Sequence, residues 1–167
     1  FSSELRHIQS YLKLEKLPRT IEGYDISNIS GAYSVASMVV FERGVPASKE
    51  YRKFKIKTVV GADDYASMAE TLKRRLTDLK ENKENFNKRP DLILIDGGFG
   101  QLHSAKQAMD EVGLDIPIIS LAEKNEEICT LNSSEPIVLS KSDNSLKLLQ
   151  RVRDEAHRFA ITFHREL

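Results

Sequence analysis

Two apolar runs constrain this chain more than anything else in it. Leu92-Ile93-Leu94-Ile95 has no polar side chain at any position, and Ile116 to Leu121 is nearly as apolar. A strand with one wet face would alternate instead, so both runs are expected to be buried on two sides. Between them, Gln101 to Val112 carries a helical pattern closed by Gly113. Strand, helix, strand in that order predicts a parallel pair of strands with helices covering the sheet.

The first half of the chain reads differently. Residues 3 to 17 place Leu5, Ile8, Leu12 and Tyr11 on one helical face, with Pro18 as a stop, so 1–18 is expected to form an N-terminal helix. Three strands are predicted next: 20–28, then 33–42 with Val35, Val39 and Val40, then 48–58 with alternating Tyr51, Phe54 and Ile56. The joins Ser30-Gly31 and Arg43-Gly44-Val45-Pro46 have hairpin chemistry, which makes the three an antiparallel meander. Gly61-Ala62-Asp63-Asp64 is expected to cap a helix over 64–80 that buries Tyr65, Met68, Leu72, Leu76 and Leu79. Residues 122–142 are less regular, with a small hairpin between 127–131 and 137–139. A last helix over 143–165 shows a stripe of Leu146, Leu149, Val152, Ala156, Ala160 and Phe163. Three antiparallel strands followed by helix, strand, helix, strand, helix is the element order of the α/β RNase H-like fold. Its five-stranded mixed sheet has helices on both faces, and its first strand lies beside its fourth.

At 167 residues the chain suits one such domain, and no apolar run is long enough to span a membrane. The single Cys129 cannot form an internal disulfide and reads as a small core residue of a reduced, cytoplasmic protein. The chain opens at Phe1 without a methionine or a signal-like segment, and is expected to be a piece of something longer. With 25 basic and 25 acidic residues, it does not hold nucleic acid through bulk charge. Lys49, Arg52, Lys53, Lys55 and Lys57 form one basic cluster, and Lys73, Arg74 and Arg75 another; both read as solvated faces. Arg151, Arg153, Arg158 and Arg165 line the last helix.

Three residues carry the chemistry. Asp25 lies inside a strand bounded by Ile21, Tyr24, Ile26 and Ile29, where a carboxylate needs a partner or a cation. Asp96 ends the fourth strand before Gly97-Gly98, at the carboxyl end where ligands gather in open α/β sheets. His157 lies about 100° round the last helix from buried Ala156, with Asp154 three residues before it and placed to orient the imidazole, and Arg153 four before it. His7, His103 and His164 have no comparable surroundings and read as surface residues. Two strand carboxylates and a helical imidazole suggest a metal-dependent hydrolase, because Mg²⁺ and Mn²⁺ prefer oxygen ligands and retain open positions for phosphate.

Several runs together resemble a known family. Ile21-Glu22-Gly23-Tyr24-Asp25-Ile26-Ser27-Asn28, Gly61-Ala62-Asp63-Asp64-Tyr65, Leu94-Ile95-Asp96-Gly97-Gly98 with Gly100-Gln101-Leu102, Ser120-Leu121-Ala122 and Arg153-Asp154-Glu155-Ala156-His157-Arg158-Phe159-Ala160 are similar, in order, to the C-terminal endonuclease domain of UvrC. The resemblance implies the RNase H-like fold and the 5′ incision beside DNA lesions in nucleotide excision repair. It also implies that Asp25, Asp96 and His157 are catalytic and hold Mg²⁺ or Mn²⁺, and that Asp64 is a further functional acid. Arg151, Arg153, Arg158 and Lys124 are then candidates for holding the backbone of damaged double-stranded DNA. UvrB, a second nuclease domain and helix-hairpin-helix motifs would engage through regions outside this chain. The family usually has a lysine where this chain has Phe99, and Lys124 is shifted by one from its usual Leu-Ala-Lys. Two other readings share the fold: an endonuclease V-like nuclease, which would not carry the Arg153 to Ala160 run, and a non-catalytic protein-binding module.

Overall fold

The computed structural model describes residues 2–29, 33–59 and 63–166. The expected Ser30-Gly31 join and the Gly61-Ala62 approach to the second helix lie outside them, as do the side chains of Phe163, His164 and Arg165.

The chain begins with α1 (Ser2–Leu12) and continues through β1 (Thr20–Ile29), β2 (Tyr33–Glu42), β3 (Val45–Pro46), β4 (Arg52–Lys55), α2 (Asp64–Lys80) and β5 (Leu92–Asp96). It ends with α3 (Phe99–Val112), β6 (Ile118–Ala122), β7 (Glu127–Cys129) and α4 (Asn144–Glu166). These strands make one sheet in the order β3-β2-β1-β5-β6-β7, with β4 also on β2. β1 is antiparallel to β2 and parallel to β5, so the first strand does lie beside the strand ending in Asp96. Among the described residues the sheet has seven strands, not the expected five. Of the segment 48–58 only β4 is strand, preceded by a 3-10 turn over Ser48–Glu50; β3 adds antiparallel to β2 before it, and β7 adds antiparallel to β6. The small hairpin expected after residue 122 is present as β7 and a bridge between Ile128 and Ile137.

Alternation along β1 divides the core into two layers. Ile21 faces α1 and α4, packing with Leu5, Ile8, Leu12, Leu146, Leu149, Val152 and Ala156. Tyr24 faces α2 and α3, packing with Met68, Leu72, Leu76, Leu102 and Met109. β5 does the same on both sides, with Leu92 and Leu94 in the first layer and Ile93 and Ile95 in the second. This is the double burial expected of an apolar strand without alternation. Buried Cys129 belongs to the second layer.

Four expectations change. α1 closes at Leu12 rather than running to 17, because Lys13 turns left-handed (φ 55°) and Leu14 N–H returns to Gln9 O at 2.9 Å. Tyr11 leaves the apolar face and donates its hydroxyl to Asp143 Oδ2 at 2.9 Å. Tyr65 on α2 is likewise exposed, at 52 %. Most notably, Arg75 is not on a solvated face: its guanidinium is buried against Glu22, with Nη2–Oε2 at 2.8 Å, and also donates to Phe86 O and Lys88 O. Tyr24 completes this network by donating to Glu22 Oε1 at 2.6 Å.

Candidate active site

Strand parity places both acids on the α4 side of the sheet. Asp25 follows Ile21 and Gly23 along one face of β1, and Asp96 follows Leu92 and Leu94 along the same face of β5. Tyr24 and Ile95 are register partners, so Asp25 and Asp96 are the next residues of two adjacent parallel strands, whose backbones run about 4.8 Å apart.

The local sequence explains why each acid is presented. Beyond Asp96 the chain must turn at once into α3, and Gly97 does so at φ 123°, where a Cβ would also lie 2.9 Å from Gln101 Cβ. Beneath Asp25, Gly23 lets α4 come close: a Cβ there would lie 2.5 Å from Val152 Cγ1. His157, five residues after Val152, is thereby brought over β1, with Nδ1 3.6 Å from Asp25 Oδ2. That separation is a charge contact when the imidazole is protonated and is too long for a hydrogen bond. The imidazole is 69 % exposed, while the Asp25 side chain is only 14 % exposed. One face of the histidine is therefore free to meet a ligand.

Burial pushes the Asp25 carboxyl up to about 6; His157 opposes this, and Asp96 and Asp64 add to it. Asp96 is raised too, first by burial and then by Glu123, with Arg153 and His157 opposing. Oδ1 of Asp96 is buried with no hydrogen-bond partner. Acids held together, desolvated and incompletely satisfied are what a cation would relieve. Among the described residues no three His, Cys, Asp or Glu side chains close on one point. The donor set is open, and it matches the hard cations that are held by one or two carboxylates and otherwise by water and phosphate.

The other expected residues are placed as follows. Asp64 is exposed at the first turn of α2, near enough to both acids to influence them, but it is not the helix cap. Asp63 is, accepting from Ala66 N–H at 3.1 Å. Lys124 is exposed in the turn after β6. Arg153 is committed to carboxylates, with Nη1 2.6 Å from Glu126 and Nε 3.2 Å from Asp154. Asp154 thus serves Arg153 and does not orient His157. Arg158 pairs with Glu155 at 2.6 Å, and Arg151 approaches Glu4 at 3.9 Å. Both arginines remain more than half exposed, so phosphate can compete for them. Sequence reasoning missed Glu123, an exposed acid that raises Asp96. Its only sequence signal was the one-residue shift of Lys124.

A mixed sheet in this strand order, with two acids at adjacent strand ends and a helical histidine above them, is of the RNase H-like class. The solved structures bear out the fold: endonuclease V from Ciona intestinalis aligns with a TM-score of 0.57 at 15 % identity, covering 98 % of this chain and 97 % of that one. Human ENDOV aligns at 0.56 and 11 %, covering 99 % of each chain. The particular family comes from sequence. Residues 9–161 match the UvrC RNase H endonuclease domain. The UvrABC system protein C of Syntrophomonas wolfei is 49 % identical over 162 residues, and that of Methanococcoides burtonii 51 % identical over 163. This chain belongs to the UvrC RNase H endonuclease domain family. The aligned stretches cover 97 % and 96 % of it but only 27 % and 26 % of those relatives, about a quarter of their length.

Proposed function

We propose that this chain is the domain of a longer excinuclease subunit that makes the 5′ incision beside lesions in double-stranded DNA. The observation that carries the reading is the pairing of Asp25 and Asp96 on one sheet face, desolvated and raised, beneath an exposed imidazole 3.6 Å from Asp25. Asp25, Asp96 and His157 would hold Mg²⁺ or Mn²⁺, which when bound supplies charge for the phosphate and lowers the pKa of a bound water. Asp96, with its Oδ1 buried, fixes one side of the site, and the partly buried Asp25 sets the other.

His157 has two roles open to it. It can complete the ligand set, or it can take the proton from the attacking water as the bond from water oxygen to phosphorus forms and the bond to the leaving ribose oxygen breaks. Imidazole is the side chain most often used for such proton transfer, and its exposed face leaves room for the water. Asp64 and Glu123 extend the acidic rim. Arg151 and Arg158 exchange their carboxylate partners for DNA phosphates without reading sequence, as lesion repair requires. Lys124 would add a further phosphate contact, while Arg153 mainly anchors α4 to the turn before β7. Phe99, packed beside His103 with ring centroids 6.0 Å apart, cannot replace the charge of a lysine. UvrB and the remaining nuclease and DNA-binding parts act through other regions of the protein, in the cytoplasm.

The test is incision of a lesion-bearing duplex by the full-length protein carrying Asp25→Ala, Asp96→Ala or His157→Ala. Each is expected to abolish the 5′ cut while the fold still melts cooperatively by circular dichroism. Mn²⁺ binding should weaken in both aspartate variants. A variant that cuts at the wild-type rate removes its residue from the site, and aspartate-independent Mn²⁺ binding refutes the metal assignment.

A further inference from the structure

Asp25 and His157 lie far apart in the chain, so their meeting depends on how far along the sheet α4 sits and how it is rotated. Apolar packing alone fixes neither tightly. Val152 against Gly23 sets the closeness of approach, but a smooth aliphatic contact tolerates sliding. Roughly one turn further on, a directional contact appears. Ser37 on β2 is the register partner of Asp25, and its fully buried hydroxyl donates to the backbone carbonyl of Ala156 at 2.8 Å. Ala156 is the residue immediately before His157.

That bond is an unusual use of a strand residue. The carbonyl of Ala156 lies inside α4, where such groups already accept from the N–H four residues on. The serine therefore satisfies no orphan of the helix; it adds a second donor. Its neighbours on the same face of β2, Val35 and Val39, pack apolar side chains, and a buried hydroxyl there is costly unless it is bonded. Packing alone would be served by alanine or valine. A hydroxyl at this position does what they cannot, which is to fix the helix to a few tenths of an ångström at the turn that carries the imidazole.

We infer that Ser37 is a positioning residue that sets His157 opposite Asp25 by holding the Ala156 carbonyl. The inference rests on the reading above, in which His157 acts with Asp25 at the scissile phosphate. It assigns β2 a part in the chemistry, although β2 carries none of the groups proposed to act on the phosphate. A displacement of the order of 1 Å at a reacting group costs about a hundredfold in rate, so loss of this bond should appear in turnover and not in DNA affinity.

The experiment uses the full-length protein and an isosteric pair, Ser37→Thr and Ser37→Val, which differ only in the hydroxyl; Ser37→Ala is the smaller companion. Single-turnover incision at saturating DNA should fall about 10- to 100-fold in Ser37→Val and Ser37→Ala and stay within about threefold of wild type in Ser37→Thr. DNA affinity should be unchanged within about twofold in all three, because none touches the arginines of α4. Mn²⁺ affinity supplies a readout independent of cutting: where His157 is a ligand, Ser37→Val should weaken it by up to about 10-fold in the wild-type background, and in either role by nothing further in His157→Ala. Equal incision by the Thr and Val variants, or additive losses of Mn²⁺ affinity in the double variant, would overturn the inference. His157→Ala cutting at the wild-type rate would instead sink the underlying reading.

Discussion

Replacing Asp25 by asparagine should stabilise the metal-free protein at neutral and alkaline pH while destroying its activity. The magnitude follows from the carboxyl, which titrates near ~3.9 in an unfolded chain and near 6 here. That difference of about 2 pH units corresponds to about 3 kcal/mol. Its sign is set by burial. The native state holds a proton on Asp25 that the unfolded chain releases between about pH 4 and 6, so the Asp25 contribution to stability falls as pH rises through this window and is level above it. Asparagine has the same shape and no charge to desolvate. The stability advantage of Asp25→Asn should therefore grow by about 3 kcal/mol between pH 4 and pH 8, or roughly 6–12 °C in Tm for a chain of this size. The assay is urea and thermal unfolding in the presence of a chelator, at half-unit pH intervals. Added Mn²⁺ should then raise the Tm of wild type more than that of Asp25→Asn. An advantage that is absent at pH 8, or that does not change with pH, would refute the account of two acids strained beneath α4.

Three other perturbations separate elements of the structure. Gly23→Ala drives a methyl into Val152 and should cost about 1–3 kcal/mol as α4 lifts from the sheet, with incision impaired; Gly23→Ala with Val152→Ala should recover most of the loss in a denaturant melt. Asp63→Ala removes the α2 cap and should cost about 0.5–2 kcal/mol, whereas Asp64→Ala should leave stability within about 0.5 kcal/mol and reduce incision; the reverse pattern would return Asp64 to a capping role. Arg75→Leu leaves the Glu22 carboxylate and two carbonyls buried and unmatched and should cost about 3–5 kcal/mol, measured by urea unfolding, while Arg74→Leu on the exposed side of α2 should cost under about 1 kcal/mol.

Short-range pattern in the sequence determined much of this protein's architecture. The apolar runs at β5 and β6 required double burial, the β-branched and alternating segments required antiparallel neighbours, and the stripe from Leu146 to Ala160 required a long helix on the sheet. These are local signals, with periods of two or 3.6 residues that a single chain carries by itself. The parity that puts Asp25 and Asp96 on the α4 face was legible for the same reason once the strand order was supposed. Contacts between residues distant in sequence were not. Arg75 looks like its neighbours Lys73 and Arg74 until β1 places Glu22 beneath it. Asp154 is correctly spaced to orient His157, yet Arg153 takes it and Asp25 receives the imidazole. Whether a charge is solvated, paired or desolvated depends on what the opposite element brings, and neither periodicity nor spacing encodes that partner. Tertiary structure decided the electrostatics of the site, because the field at each acid is the sum over side chains from β1, β5, α2, the turn after β6 and α4 that only folding brings together.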